Sequence, residues 1–341
     1  MSVTLLVLAA CSGPAVTPTP EPAPEPAPAP TMAPAPAAPA GLPGLPPKGT
    51  GNPPTPDKIT LGHALFMDPR LSADGSRGCY SCHVNERGNA DGRATALGAM
   101  DKPLPRNTPT IWNVGYLTSL YWDGRAANLE AQAMGAWKGG NMGVGADNLA
   151  AKAAEIGALP EYAAQFASVF HLEAGAAVEP NHVVQAIAAF ERTLLCGDPD
   201  TMSEAAARGK AVFQSKGRCI TCHTPPLYTD NLFHNIGLGG ADIGRGKVTG
   251  DQADNGKFRT PTLRNAADTA PYFHDGRIET LEEAVRYMAG GGNADDPGND
   301  PLLAPTGLDD AEIADLIAFI ESLRCEGTIE VTGDPKPVPI D

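Results

Sequence analysis

Two short runs in this 341-residue chain place reactive side chains close enough to act together: Cys79-Tyr80-Ser81-Cys82-His83 and Cys219-Ile220-Thr221-Cys222-His223. In a C-x-x-C-H run, two thiols on one turn add to the vinyl groups of a porphyrin, and the adjacent imidazole gives an axial nitrogen to its iron. Competing chemistries fit less well. Zinc ribbons pair their C-x-x-C knuckles about 15–20 residues apart, whereas these runs lie 140 residues apart. A thioredoxin-type dithiol needs a single motif in a βαβ setting, and none is legible here. The sequence therefore predicts two covalently bound haem c groups, with His83 and His223 as proximal iron ligands.

The elements that must position these motifs are short helices between Gly- and Pro-rich loops. Apolar residues recur at helical spacing over 181–195 (Val183, Ile187, Phe190, Leu194) and 309–324 (Ile313, Leu316, Ile317, Ile320). Asp309 before Glu312 gives the second pattern a capping start. No alternating Val/Ile runs predict a major sheet. Cys196 and Cys325 each follow one of these helices, and a disulfide joining the helix ends is expected.

An internal repeat sets the architecture. Arg106-Asn107-Thr108-Pro109-Thr110 echoes Arg259-Thr260-Pro261-Thr262, and Tyr121-Trp122-Asp123-Gly124-Arg125 echoes Phe273-His274-Asp275-Gly276-Arg277, at a constant offset of 152 residues. The haem motifs differ by 140, so the second copy carries about 12 extra residues after its motif. We expect a mainly α fold with two tandem haem-binding domains, over 57–200 and 201–341. Ahead of them, residues 1–11 read as an export signal. Their apolar run is too short to span a bilayer, and Leu8-Ala9-Ala10-Cys11 resembles a bacterial lipobox that would lipidate Cys11. Residues 12–56 are dominated by Pro and Ala and read as a disordered, polyproline-like tether. At about 3.1 Å per residue it would reach on the order of 100 Å. The expected location is the periplasmic face of a bacterial membrane, held by lipid alone.

A net charge of −15 with a pI near 4.8 argues against nucleic acid as a partner, because phosphate binding needs a positive surface. It suits either a basic protein partner drawn in electrostatically or a surface whose charge merely keeps the protein soluble.

Taken together, Leu61-Gly62-His63-Ala64-Leu65-Phe66, Asp68-Pro69-Arg70-Leu71-Ser72, both haem motifs and the paired Pro-Thr and Asp-Gly-Arg blocks resemble the bacterial dihaem cytochrome c peroxidases over roughly 57–325. That family includes a branch like the methylamine dehydrogenase maturation enzyme, which oxidises residues of a partner protein. The resemblance implies two cytochrome c-like domains with a calcium ion between them. It matches Met288 to the methionine that ligates the second haem iron, where the maturation branch places a tyrosine. Trp122 matches the tryptophan between the haems, Gln132 the distal glutamine, and His274 a histidine near the domain interface. Asn107 and the carbonyls of Thr269 and Pro271 match the calcium site. The repeat adds an independent reading: Ala136 stands 152 residues before Met288 and cannot ligate iron, so the first haem should have an open distal face.

Two departures stand out. Asn141 falls where peroxidases of the family place a glutamate, and losing a positioned acid/base group costs about 10²–10⁴ in rate. A water chain or another carboxylate, such as Glu130, is the available substitute. Ala99 and Met100 stand where many relatives place a histidine that caps the oxidised first haem. An open first haem is therefore expected even when oxidised, with Met100 as ligand the rival. The implied activity is reduction of hydrogen peroxide to water with electrons from a small cytochrome c or copper protein, and a homodimer is compatible with it. The alternatives are a dihaem oxidase of partner side chains and a non-catalytic dihaem electron carrier.

Overall fold

The computed structural model describes residues 39–42 and 51–339; Cys11 and most of the expected tether lie outside the described residues, and its described part is not disordered, since Ala40 O accepts from Asp198 N at 2.9 Å and Asn52 is buried. Nine α-helices are found among those described. They are α1 (Pro56–Met67), α2 (Leu129–Lys138), α3 (Leu149–Gly157), α4 (Pro160–Phe170), α5 (Pro180–Glu191), α6 (Glu204–Gln214), α7 (Gly246–Thr249), α8 (Leu281–Ala289) and α9 (Asp310–Ser322). The described strands, β1 (Phe233–His234) and β2 (Phe258–Arg259), form one two-residue antiparallel ladder. The mainly α expectation is met. The β1–α7–β2 excursion takes up the residues by which the second copy exceeds the first.

Local signals account for where the helices start. Thr55 Oγ1 accepts from Lys58 N at 3.3 Å with Pro56 at the first helical position, satisfying a donor that the helix leaves orphaned. Thr280 with Glu283, and Asp309 with Glu312, form capping boxes for α8 and α9. Both sequence-read helices are present, each a few residues shorter than its apolar pattern.

Each half is organised around one helix pair, α1 against α5 and α6 against α9. Both pairs meet at a glycine. A Cβ on Gly62 would collide with the Ala186 carbonyl oxygen, and one on Gly209 with that of Asp315, so only glycine allows these crossings. Next to each crossing sits an aromatic pair, Phe66–Phe190 at 5.3 Å and Phe213–Phe319 at 5.1 Å between ring centroids. Apolar side chains accordingly form two clusters. One is built on Leu61, Leu65, Phe66, Ile187 and Phe190, the other on Phe213, Ile313, Leu316, Phe319 and Leu323.

The chain end does not stay with the second cluster. After α9 it returns to the first haem motif, where Ile329 joins the first cluster and Val338 is fully buried. Ser81, between the two cysteines of that motif, donates to Pro335 O at 2.6 Å, and its own carbonyl accepts from Val338 N at 2.9 Å. Asn85 exchanges two 2.8 Å hydrogen bonds with the Ile329 backbone. The return is anchored by the expected disulfide, Cys196–Cys325, with Cα atoms 5.3 Å apart. It closes a loop of 129 residues, long enough to restrict the unfolded chain strongly. Cys325→Ser is expected to lower stability by about 2–5 kcal/mol in denaturant unfolding; an unchanged midpoint would show that the tail is held without it.

Candidate haem sites

Both C-x-x-C-H runs fold into a single turn that brings His back over the first Cys. His83 N donates to Cys79 O at 3.2 Å and His223 N to Cys219 O at 2.9 Å. Each imidazole then commits Nδ1 to a backbone carbonyl, His83 to Asn89 O at 2.8 Å and His223 to Tyr228 O at 3.0 Å. An Nδ1–H that donates in this way leaves the Nε2 lone pair for a metal. Burial pushes both imidazoles below their usual pKa, keeping them in the neutral form that ligates. It also pushes the Cys219 thiol up to about 11 and Cys82 up to about 12.

The second motif opens on a cavity of about 250 Å³ lined by Cys219, Cys222 and His223 together with Met288 and Ala284 of α8, Ile320 of α9 and Trp122 from the first half of the chain. Of the adjacent pair on α8, Met288 lines this cavity. Tyr287 is turned away: its hydroxyl donates to Ile236 O at 2.7 Å and its ring packs on Phe273.

Two buried arginines test whether this cavity suits haem. Arg264 is fully enclosed and saturated, with bonds to Gly197 O, Pro226 O and Asp198. Arg259 is 6% exposed and lines the cavity. It makes one side-chain hydrogen bond, Nη1 to Thr260 O at 3.2 Å, and its Nε has no partner. It has no carboxylate partner among the described residues, and burial pushes it down to about 10. A buried cation needs a counter-ion, and the propionate carboxylates of a haem would supply one in this cavity.

A divalent metal is the competing occupant. Ligand atoms of Cys222, Asp230 and His234 lie within 4.8 Å of one another. His234 is already committed, with Nδ1 at 2.6 Å from Asp300 Oδ2 and Nε2 at 3.0 Å from Asp230 Oδ2. The Cys222 sulfur and these carboxylates outweigh burial and hold His234 protonated up to about 10. Both His234 nitrogens are thus taken up by carboxylates, and Cys222 belongs to the C-x-x-C-H run, so haem fits the residues better.

Around the first motif, Gln132 and Ala136 stand one turn apart on α2. The half-buried side-chain amides of Gln132 and Asn141 have no hydrogen-bond partner among the described residues. Asn141 is placed by its carbonyl, which accepts from Ala99 N at 2.9 Å. Met100 is 60% exposed. Glu130 does not match the role of a spare proton donor. Burial works to raise its pKa, but Arg192 (2.8 and 3.0 Å) and Asn52 (2.6 Å) bind it and hold it below the usual carboxylate value.

Between the halves, Trp122 Nε1 donates to Asn107 O at 2.9 Å. His274 stacks on Phe258 with ring centroids 3.6 Å apart. The Asn107 side chain reaches Arg93 O at 2.8 Å and Pro271 O at 3.3 Å, with Thr269 two residues before Pro271. As placed, its nitrogen donates to both carbonyls. Turned over, its Oδ1 would join them as the all-oxygen set that a hard cation takes.

Sequence reasoning missed two residues. Arg259 occupies the repeat position of Asn107, so a change from amide to cation at matched positions was its signal. Glu191 is an acid closing the apolar last turn of α5. Arg259→Gln is expected to lower the midpoint potential of the second haem, since a lost positive charge disfavours the added electron, and to leave the first unchanged. Spectroelectrochemistry of the holoprotein checks this, and an unchanged second potential would contradict it.

Residues 56–212 match the di-haem cytochrome c peroxidase family and residues 206–324 match cytochrome c. The chain is 37% identical over 330 residues to cytochrome-c peroxidase IdrP1 of Denitromonas iodatirespirans, covering 84% of this chain and 86% of that one. It is 38% identical over 294 residues to methylamine utilization protein MauG of Methylorubrum extorquens, covering 82% of each. A solved structure of a MauG-like protein associated with microbial copper homeostasis matches with a TM-score of 0.78 at 31% identity, over 84% of this chain and 94% of that one. Identity of this extent over most of the chain's length, on a doubled haem-binding frame, makes this chain a member of the di-haem cytochrome c peroxidase family, which holds peroxidases and MauG-like oxidases and implies two haem c groups.

Proposed function

We propose that this protein reduces hydrogen peroxide to water at its first haem site, with electrons received at the second from a small basic cytochrome c or copper protein. The observation that carries this reading is an inequality between matched positions. Met288 lines the second cavity, whereas its counterpart Ala136 has no ligating atom. Bound haem supplies an iron that exchanges single electrons and, where an axial position is free, can bind peroxide. The chain then sets the two roles. His223 and Met288 would hold the second iron, a pairing that would raise its potential and suit electron transfer. His83 alone serves the first. The uncommitted Gln132 amide is free to orient a peroxide, and Asn141 can hold it by hydrogen bonds without moving a proton. Trp122 belongs to the first repeat and lines the second cavity, the place for an aromatic bridge between the sites.

Several finer assignments belong to this reading. A calcium ion held by Asn107 Oδ1 and the carbonyls of Thr269 and Pro271 would brace the junction. Export and lipidation at Cys11 would place the protein at the periplasmic face of a membrane, with the two haem domains over 57–200 and 201–341. Among the described residues no helix is long and apolar enough to cross a membrane. Oxidation of a partner's side chains has less support, because Tyr287 is hydrogen-bonded outside the cavity.

Stopped-flow mixing of hydrogen peroxide with half-reduced holoprotein tests the proposal without a donor. Rapid oxidation of the Met288 haem is expected, with two half-reduced molecules becoming fully ferric per peroxide reduced, slowed about 10-fold or more in Gln132→Ala. An unchanged spectrum over seconds would remove the peroxidase reading and leave an electron carrier.

A further inference from the structure

Glu191 is a buried acid that the mechanism above does not use. It closes α5, is 6% exposed, and its Oε2 has no hydrogen-bond partner. The neighbouring Arg192 does not neutralise it, because that guanidinium is bound at both ends by Glu130.

The two halves locate this acid. Gly62 meets Ala186 and Phe190, while Gly209 meets Asp315 and Phe319, and the aromatic pairs Phe66–Phe190 and Phe213–Phe319 match in spacing. The offset between α5 and α9 is therefore 129 residues, the same as between Cys196 and Cys325. Glu191 corresponds to Ile320, which lines the second haem cavity. At the 152-residue offset of the repeat, Gln132 corresponds to Ala284, another lining residue. The first site thus carries an acid and an amide where the second carries isoleucine and alanine. Helix α5 also packs against α2, the helix of Gln132.

We propose that Glu191 is the proton source of the first haem site, taking the task that Asn141 cannot perform. The proposal rests on the peroxidase reading for its purpose. Reduction of one hydrogen peroxide breaks one O–O bond, takes two electrons from the reduced donor protein and two protons, and yields two waters. Glu191 gives one of these protons and is reprotonated from solvent, which also supplies the other. Burial pushes its carboxyl up to about 8, with Arg192 pulling it down and Glu130 adding to the rise. The remaining ionisable groups nearby are Lys58 and His63 on α1, Tyr121 before α2 and the Cys79 thiol. At neutral pH Glu191 keeps its proton, whereas the ion-paired Glu130 does not.

The test is the midpoint potential of each haem in the holoprotein between pH 6 and 9, for wild type and Glu191→Gln, which keeps size and neutrality. In wild type the first potential is expected to fall as pH rises through about 8, because the carboxylate then formed favours the ferric iron. In Glu191→Gln that dependence disappears, the second potential is unchanged in both proteins, and the peroxide reaction slows about 100-fold. A first potential independent of pH in wild type, or one whose pH response survives in Glu191→Gln, would overturn the proposal. A Glu191-dependent pH response without any peroxide reaction would uphold the proton source and overturn the peroxidase reading.

Discussion

Two backbone hydrogen bonds hold the halves of this protein in a reciprocal grip: Asn107 N to His274 O, and Arg259 N to Trp122 O, each 2.8 Å. Asn107 and Arg259 are repeat partners, as are Trp122 and His274, so each half uses the same two positions to hold the other. A buried backbone donor without an acceptor is strongly disfavoured, and here each half supplies what its counterpart lacks. The grip brings Trp122 of the first half to the wall of the second cavity. It also sets the Asn107 side chain against Pro271 O, 3.3 Å away.

On this common frame, the two sites differ through a few side chains. The features that hold haem are shared: the single-turn motif, the Nδ1-to-carbonyl bond and the glycine-centred helix crossing. The differences lie at matched positions: Ala136 against Met288, Gln132 against Ala284, and Glu191 against Ile320. On the proposed reading, each exchange makes the first site more open and polar and the second more apolar. An iron enclosed by apolar groups is a site for electron exchange. One with a free axial position and hydrogen-bonding groups beside it is a site for chemistry on a ligand.

Much of this was legible in the sequence because it is written in side-chain identity and spacing. The haem motifs announce themselves, and the 152-residue offset exposed the repeat and the inequality of Ala136 and Met288. The periodicity of α5 and α9 located the helix ends that Cys196 and Cys325 join. The returning chain end was not legible. Its grip on the first motif and the residues on either side of it uses the carbonyls of Glu330, Pro335, Val338 and Pro339, and main-chain acceptors leave no signature in residue type. Nor could Glu130 be sorted from Glu191. Both are acids at helix positions, and only the fold gives one to Arg192 and buries the other unpaired.

The central claim is that one iron has two protein ligands and the other has one. Electron paramagnetic resonance of the fully ferric holoprotein tests it most directly. The account predicts one low-spin signal, altered by Met288→Leu, and one high-spin signal that Met100→Ala leaves unchanged. Two low-spin signals would mean that a side chain such as Met100 caps the first iron, and would contradict the account.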